Sequence, residues 1–598
     1  MKSRIIAFFV SQNREETECS INAQKHLEAI SKEFGFKIYP EKIGNFQVSL
    51  CFEGDIDALV YNSDHQTSFF VGPTVSHYCP SHKADNRQET IRDRFLHVNI
   101  KGNTISIVND YAGTIPVYYS TRGHLSLSNI EPVTVLDSNT TTKDISAQNM
   151  YGYLRYSHYI WDETLYSHIF TQEPDTQYIY TCGKREIVKK YLRTIVASEK
   201  RIYYNDSSVA KELFELNQKL IKESFNEHEE LILPLSAGYD SRMIFSAICN
   251  VPELKARLKC FTYGPEGSIE VESARDLCES EDVYWENINL PCSFLNRQYL
   301  YKTGLIFGSS LHLHGMYQLE FWDLIKSKID VDNAVLTSGF MTGVPAGQHI
   351  SKLDINHEET LLTEAMNNFS QSNYFLDDEI LKLSPEFQKD FLFEAEKKFR
   401  IAFDRFTGNI DQKSVVFDLW TRQRNFISYH PRILEWEIPC ISPHMTPEYA
   451  NFFLSLSKRH LADRLAVELM FKNHYPQHSG ILSNSNGIKA INNSVETLKF
   501  QFYRPLRILG LKKIVPKKYQ AIPIDFNIPA IRSSKKSGFW PLFDLPDDKA
   551  ESLHRFFPDT LLAKWYCEAI QGSIASYEKL VFIQAVAYGM HNIRHTDN

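Results

Sequence analysis

The sequence predicts a mixed α/β protein, and three observations carry that prediction. Over residues 1–195, short apolar strands alternate with turns, the pattern of a β-rich domain. From Leu231 onward, apolar runs end in small-residue turns and feed helix-like patterns, which makes a parallel sheet with ligands at its strands' carboxyl ends. Beyond about residue 490 the chain is rich in basic and aromatic residues and reads as mainly helical. The expected units are 1–200, 205–490 and 491–598, and 598 residues suffice for roughly two to four domains with cores of their own.

Bulk properties exclude several classes. The net charge of −8 gives no basic excess that would point to nucleic acid. The opening run Ile5–Val10 is too short for a signal-peptide core and reads as a first buried strand. No stretch approaches the length of a membrane span. The ten cysteines, from Cys19 to Cys567, show neither C-x-x-C pairs nor zinc spacing, which fits reduced thiols and a cytoplasmic protein.

In the first unit, Ile105-Ser-Ile-Val-Asn-Asp110-Tyr-Ala-Gly113-Thr-Ile-Pro116-Val-Tyr118-Tyr119-Ser120 predicts two strands joined at an Asp–Gly turn. Leu125–Asn129 is another short strand, and Tyr151–Arg155 is an amphipathic helix whose exit loop contains Asp162–Tyr166.

The second unit opens on the most informative stretch, Leu231-Ile-Leu-Pro-Leu235-Ser236-Ala-Gly238-Tyr-Asp240-Ser241-Arg242. Strand, tight turn, helix is a geometry that binds anions: small residues let backbone N–H groups approach phosphate oxygens, and the helix N-terminus adds partial positive charge. Ser236 and Ser241 supply hydroxyls, and Asp240 is an acid of the kind that holds magnesium beside a polyphosphate. No G-x-x-x-x-G-K-[ST] string occurs. A second strand, Leu258–Tyr263, ends at Gly264 and leads to a helix capped by Ser268, with Glu270 in its first turn. A third strand–turn unit runs from Val335 through Ser338-Gly339 to Gly347.

Farther on, Arg422 and Arg424 lie on a helix over 417–427; orienting a phosphate or carboxylate and forming helix-surface salt bridges are both open. His312 and His314 could pair on a metal or serve as satisfied or substrate-facing histidines. In the tail, Lys499, Arg504, Arg507, Lys512, Lys513, Lys517 and Lys518 accompany Phe500, Phe502, Tyr503 and Leu511. Such a mix is either a solvated helix face or a peripheral contact with an anionic membrane surface.

The loop Ser236–Ser241 resembles the S-G-G-x-D-S pyrophosphate loop of the ATP pyrophosphatases, with Ala237 for one glycine. Together with the D-x-x-G-x-x-P-x-Y-Y string from Asp110 to Tyr119, and in this order, the chain resembles the asparagine synthetase family to about residue 490. The resemblance implies an N-terminal αββα sandwich of the Ntn-hydrolase type followed by a parallel-sheet ATP pyrophosphatase domain. It implies ATP and Mg2+ as cofactors, with Asp240 as magnesium ligand and Asp240 and Glu270 in the catalytic centre. Leu235, Ser236, Gly238, Ser241, Tyr263, Gly264, Ser338 and Gly339 would border the nucleotide. Glu437-Ile-Pro439-Cys-Ile-Ser442 resembles the family's E-x-x-x-P-F-L-D segment.

Departures qualify the function. Glutamine-using members expose a cysteine at position two, where this chain has Lys2; Cys19 is internal, so no glutaminase activity is expected. Gly343 stands where a second magnesium acid is implied, Phe340 replaces a glutamate, and Asn484 or Ser485 replaces a lysine that Lys489 would have to supply. The expectation is ATP-dependent, AMP-forming amide-bond synthesis, in which ammonia or an amine attacks an adenylated carboxylate, with sugar acids among the candidate substrates. Intramolecular closure, as in β-lactam synthetases or lasso peptide cyclases, is an alternative. A catalytically impaired nucleotide-binding scaffold is another, and a homodimer is left open.

Overall fold

The computed structural model describes residues 3–12, 17–63, 66–73, 93–184, 186–196, 205–225, 230–310, 316–350, 357–370, 375–537 and 553–591. Position 2 and both His312 and His314 lie outside the described residues.

Twelve strands build the first unit: β1 (Arg4–Gln12), β2 (Lys37–Ile43), β3 (Phe46–Glu53), β4 (Val60–Ser63), β5 (Gln66–Val71), β6 (Leu96–Lys101), β7 (Thr104–Asn109), β8 (Tyr118–Ser120), β9 (Ser126–Ser128), β10 (Ile169–Thr171), β11 (Thr176–Thr181) and β12 (Val188–Tyr191). They form two antiparallel six-stranded sheets, ordered β10-β8-β9-β1-β3-β2 and β12-β11-β7-β6-β5-β4. The expected strands around Asp110–Gly113 are β7 and β8, and the turn between them carries the chain from one sheet to the other. Alternation explains the sandwich. Ile5, Phe8 and Val10 of β1 face Phe69, Val98, Ile107 and Tyr180 of the second sheet. Ala7 and Phe9 face Ala23, Leu27 and Ile30 on the helix Glu18–Phe34.

An αββα sandwich would carry helices on the second sheet's outer face as well. That face shows Phe70, Val108 and Ile179 among His97, Asn99, Ser106 and Gln177, with Val108 buried and the others half-buried. Ser68 bonds His97 (2.7 Å), and Gln177 donates to Ser106 (2.6 Å). Among the described residues the helices of the first unit pack on the first sheet and none packs closely on this face, so the described arrangement is helix, sheet, sheet.

The second unit holds a five-stranded parallel sheet: β13 (Glu230–Pro234), β14 (Leu258–Tyr263), β15 (Tyr284–Ile288), β16 (Ala334–Thr337) and β17 (Cys440–Ile441). Its order is β15-β14-β13-β16-β17. The chain enters at the centre, winds outward to β15, then returns beside β13, so the strand order reverses between β13 and β16. A crevice opens at the carboxyl ends of such a pair.

Buried arginines fasten the sheets together. Arg424, on the π-helical turn Leu419–Ile427, donates to the carbonyls of Gly113 (3.2 Å), Trp161 (3.1 Å) and Gln172 (2.5 Å) and to Thr171 Oγ1 (3.1 Å). It therefore neither orients a ligand nor bridges a helix surface. Gly113 has φ +63°, and a Cβ there would lie 2.9 Å from Pro174 Cα and 3.2 Å from Arg424 Nε. Arg422 is half-buried, with its guanidinium 5.6 Å from the Phe426 ring centre.

The helical extension does not stand apart. Phe582 packs edge-on against Tyr153, and Tyr166 donates to the Gly589 carbonyl (2.8 Å), seating the helix Ile574–His591 on the first unit. Every cysteine among the described residues is a free thiol. No described helix is long and apolar enough to cross a membrane.

Candidate functional site

The crevice at the carboxyl ends of β13 and β16 gathers most of the predicted residues. After β13 the chain turns through Leu235–Gly238 into the helix Tyr239–Cys249, with Gly238 as N-cap. The turn is tied to itself: Ser236 N–H donates to Ser241 Oγ (3.1 Å), the two serine hydroxyls lie 3.1 Å apart, and Gly238 N–H donates to Ser236 Oγ (3.2 Å). Leu235 is buried; its carbonyl accepts from Thr262 Oγ1 (2.8 Å), which fastens the loop to β14. Ser236, Gly238, Asp240, Ser338 and Gly339 are half-exposed while their neighbours Leu235, Ala237, Tyr239 and Phe340 are buried, so these positions open on the crevice. Gly339 lies close over the helix start, where a Cβ would sit 3.0 Å from Asp240 Cβ.

Asp240 is engaged by an arginine. Arg464 forms a salt bridge with its Oδ1, with the guanidinium almost fully buried and 5.3 Å from the Tyr239 ring centre. Arg464 and Asp463 have φ of +58° and +53°, a left-handed pair without glycine at the start of the helix Leu465–His474. Such backbone costs about 1–3 kcal/mol per residue and persists where the surroundings impose it. Asn486 does so here, donating to the Asp463 carbonyl and to Glu468 (2.8 Å).

Gly343 does face Asp240, as the resemblance implies for the second acid: a Cβ there would lie 3.0 Å from Asp240 Oδ2 and 2.1 Å from Gln348 Oε1. With glycine at 343 and Asp240 paired through Oδ1, position 343 offers a cation no second carboxylate. Among the described residues no three His, Cys, Asp or Glu side chains gather where they could hold a metal ion. The side chains present do not by themselves make a complete magnesium site; Asp240 is the acid at the loop that a phosphate-bound ion would meet.

The lysine-replacing segment also lies in the crevice. Ser483 and Lys489 pair through their backbones (2.8 and 3.0 Å) around a turn at Gly487, φ +71°. Ser485 Oγ accepts from Tyr239 N–H (2.8 Å), one of the donors that a helix N-terminus offers to an anion. Asn484 donates to Glu270 (2.7 Å), whose carboxyl burial pushes up from its ordinary pKa. Lys489 pairs instead with Glu468 (2.8 Å), which also accepts from Tyr239 Oη (2.9 Å).

The turn after β14 is covered from outside. Tyr263 packs among Tyr317, Phe321 and Phe526 (5.8, 4.9 and 5.7 Å between ring centres). A Cβ on Gly264 would meet Ile524 at 3.0 Å, and Ile522 N–H donates to the Gly267 carbonyl (3.0 Å). Tyr263 and Gly264 thus lie beneath a strap formed by Gln520–Phe526. Ser268 caps the helix Ile269–Glu281 as expected, accepting from Val271 N–H (3.4 Å).

Four supporting side chains escape sequence reading. Arg242 is fully buried and donates to the carbonyls of Ala237 (3.2 Å), His478 (3.2 Å), Ile481 (3.0 Å) and Leu482 (2.6 Å), tying the loop to the segment before Ser485. Its position directly after the loop motif was the only available signal. Arg464, 224 residues from Asp240, gave none. The buried acid before Pro439 is Glu435, not Glu437, and it pairs with Arg94.

His444 bonds Thr342 Oγ1 through Nδ1 (2.8 Å) and Asn217 Oδ1 through Nε2 (2.7 Å), which suits a neutral ring protonated on Nε2. Burial, helped by the charge of Arg464, pushes its pKa down to about 3. The resulting stability is present above the ordinary histidine pKa near 6.5 and is lost as pH falls toward 3. Stability should drop by about 2 kcal/mol between roughly pH 7 and pH 5 from this ring alone. Urea unfolding of the wild type and His444→Gln at both pH values checks it: equal slopes would refute the assignment.

The chain matches no protein-family model and no curated protein.

Proposed function

We propose that the protein binds ATP in the crevice between β13 and β16 and forms an amide by the AMP-forming route of the asparagine synthetases. The reading is carried by the small-residue loop Leu235–Ser241, which lies at the carboxyl end of the central strand where the strand order reverses. Ser236, Gly238 and Ser241 would hold the β- and γ-phosphates. Leu235, Tyr263, Gly264, Ser338 and Gly339 would border the nucleoside, and Glu270 would flank the reacting carboxylate. A carboxylate oxygen attacks the α-phosphorus, the bond to the bridging oxygen breaks, and pyrophosphate leaves. The nitrogen of ammonia or an amine then attacks the acyl carbon, AMP departs, and the nitrogen gives up a proton.

In place of a second acid and its cation, Arg464 brings a fixed positive charge to Asp240. That arrangement favours anion binding without a protein-held metal and sets a clear test. Asp240→Asn removes a negative charge beside the phosphates and keeps a hydrogen-bond acceptor for Arg464. ATP binding should tighten about three- to tenfold by calorimetry; a loss would return Asp240 to magnesium binding and sink this assignment. Exchange of labelled pyrophosphate into ATP, with pooled carboxylic acids including sugar acids, tests the chemistry.

The paired Asp240 and the missing lysine favour a second reading, a nucleotide-binding scaffold without turnover. Tight ATP binding with no exchange for any acid would select it.

A further inference from the structure

The helices Ser494–Phe502 and Arg504–Ile508, with the turn Lys512–Ile514, turn large apolar side chains outward. Phe502 is 75% exposed, Ile508 74% and Leu509 70%, and Leu498, Leu511 and Ile514 are exposed beside them. A cluster of that kind is uncommon on a monomer's surface and marks a place that something covers. Its underside is firmly built: Phe500, Val515 and Tyr519 are buried against Ala237 of the phosphate loop and Ile269. The outward side chains are therefore presented by an ordered platform.

Charge identifies the occupant. From 494 to 524 the only acid is Glu496, which is buried and paired with Lys518 (3.0 Å). Lys517 and Lys518 are bound to Glu266 and Asp276 of the protein body. Lys499, Arg504, Lys512 and Lys513 are exposed and have no ion-pair partner among the described residues. Four uncommitted cations interleaved with aliphatic side chains stand on a chain whose net charge is −8.

We propose that this platform docks on an anionic membrane surface, with Phe502, Ile508, Leu509 and Ile514 entering the headgroup boundary and the four cations meeting lipid phosphates. The acidic remainder of the chain would be repelled, which fixes orientation. A second copy is disfavoured because a two-fold contact sets these cations against their own images. Nucleic acid is disfavoured because the exposed set is mainly aliphatic and bases stack on aromatic rings.

The test uses the full chain and vesicles of phosphatidylcholine, alone or with phosphatidylglycerol. Binding should require phosphatidylglycerol and weaken at about 0.5 M salt. Lys512→Glu with Lys513→Glu should lower it at least tenfold, and so should Ile508→Ser with Leu509→Ser. All four positions are exposed, and thermal melting confirms that the variants fold. Failure to bind phosphatidylglycerol vesicles, or binding unchanged in both variants, overturns the proposal. So does a dimer in light scattering that Ile508→Ser with Leu509→Ser dissociates, or equally tight binding of single-stranded DNA that the charge variant abolishes. None of these outcomes depends on the nucleotide chemistry.

Discussion

Arg242→Met should cost about 3–5 kcal/mol of stability and abolish ATP binding. The guanidinium has no contact with solvent, and burial pushes its pKa down only to about 10, so it stays charged at neutral pH. Its nitrogens serve four carbonyls, on Ala237, His478, Ile481 and Leu482. Methionine fills similar space and supplies no donor, and each buried carbonyl left without one costs about 1–3 kcal/mol before relaxation. Partial repacking and entering water keep the total below the simple sum. The functional loss follows from geometry: Ala237 sits inside the loop proposed to hold the phosphates, and Leu482 leads directly to Ser483–Lys489, which caps the helix after that loop. Lysine restores the charge without the planar fork and should recover less than half of the stability. Urea unfolding with an ATP titration on the same samples decides it. A methionine variant within about 1 kcal/mol of the wild type would show that the carbonyls find other partners.

The elements read best were those whose period and caps are local. The strand ending at Pro234, the strand Leu258–Tyr263 and the Ser268 cap were all legible, because an apolar run, a glycine turn and an N-capping serine lie within a few residues of one another. The edge strands β15 and β17 were not singled out. β17 is two residues long, and β15 is half-exposed and carries Glu286 and Asn287 among its five residues, so neither shows a buried run. What lies on the outer face of the second antiparallel sheet is equally illegible in the sequence. Alternation reveals that one face of a strand is buried and says nothing of what covers the other.

The crevice shows the same division. The residues of Ser236–Ser241 meet because they are neighbours in sequence. The pairing of Asp240 with Arg464, of Tyr239 N–H with Ser485, and of Gly264 with Ile524 joins positions some 220 to 260 residues apart, which no spacing rule reaches. The gap at Gly343 was visible in the sequence, but the arginine that answers it was not. A charge complement to a missing acid has no fixed offset, and only packing brings it there.

Arg94→Met should destabilise the fold by about 3–5 kcal/mol, and the deficit should depend on pH. Arg94 is buried between the second antiparallel sheet and β17, in a salt bridge with Glu435, 3.4 Å from Asp93 Oδ1 and 2.6 Å from the Cys440 carbonyl it donates to. Burial opposes charge on the guanidinium, but Glu435 and Asp93 outweigh it and hold the pKa above its ordinary value. Asp93 has other donors, the backbone N–H groups of Arg94 (2.8 Å) and Ser442 (3.0 Å), so it tolerates the loss better. Glu435 would be left buried without its counter-charge and would take up a proton. Burial already pushes the Glu435 carboxyl up to about 7 despite Arg94, and losing the counter-charge would push it higher, so the extra penalty is absent below about pH 7 and grows as pH rises above it. The deficit of Arg94→Met should therefore be flat below about pH 7 and widen by about 2 kcal/mol between roughly pH 7 and pH 8.5. Adding Glu435→Gln should recover roughly half of the loss at the higher pH, because a neutral amide needs no counter-charge. A deficit that ignores pH, or a Glu435→Gln change that simply adds to it, would mean that Arg94 holds the units together through the Cys440 carbonyl and its packing on Phe340, 5.8 Å from the ring centre. A deficit that grows with pH would make the contact between the sheets an ionic latch in which Arg94 holds the charge on Glu435; a deficit indifferent to pH would make it a packing joint.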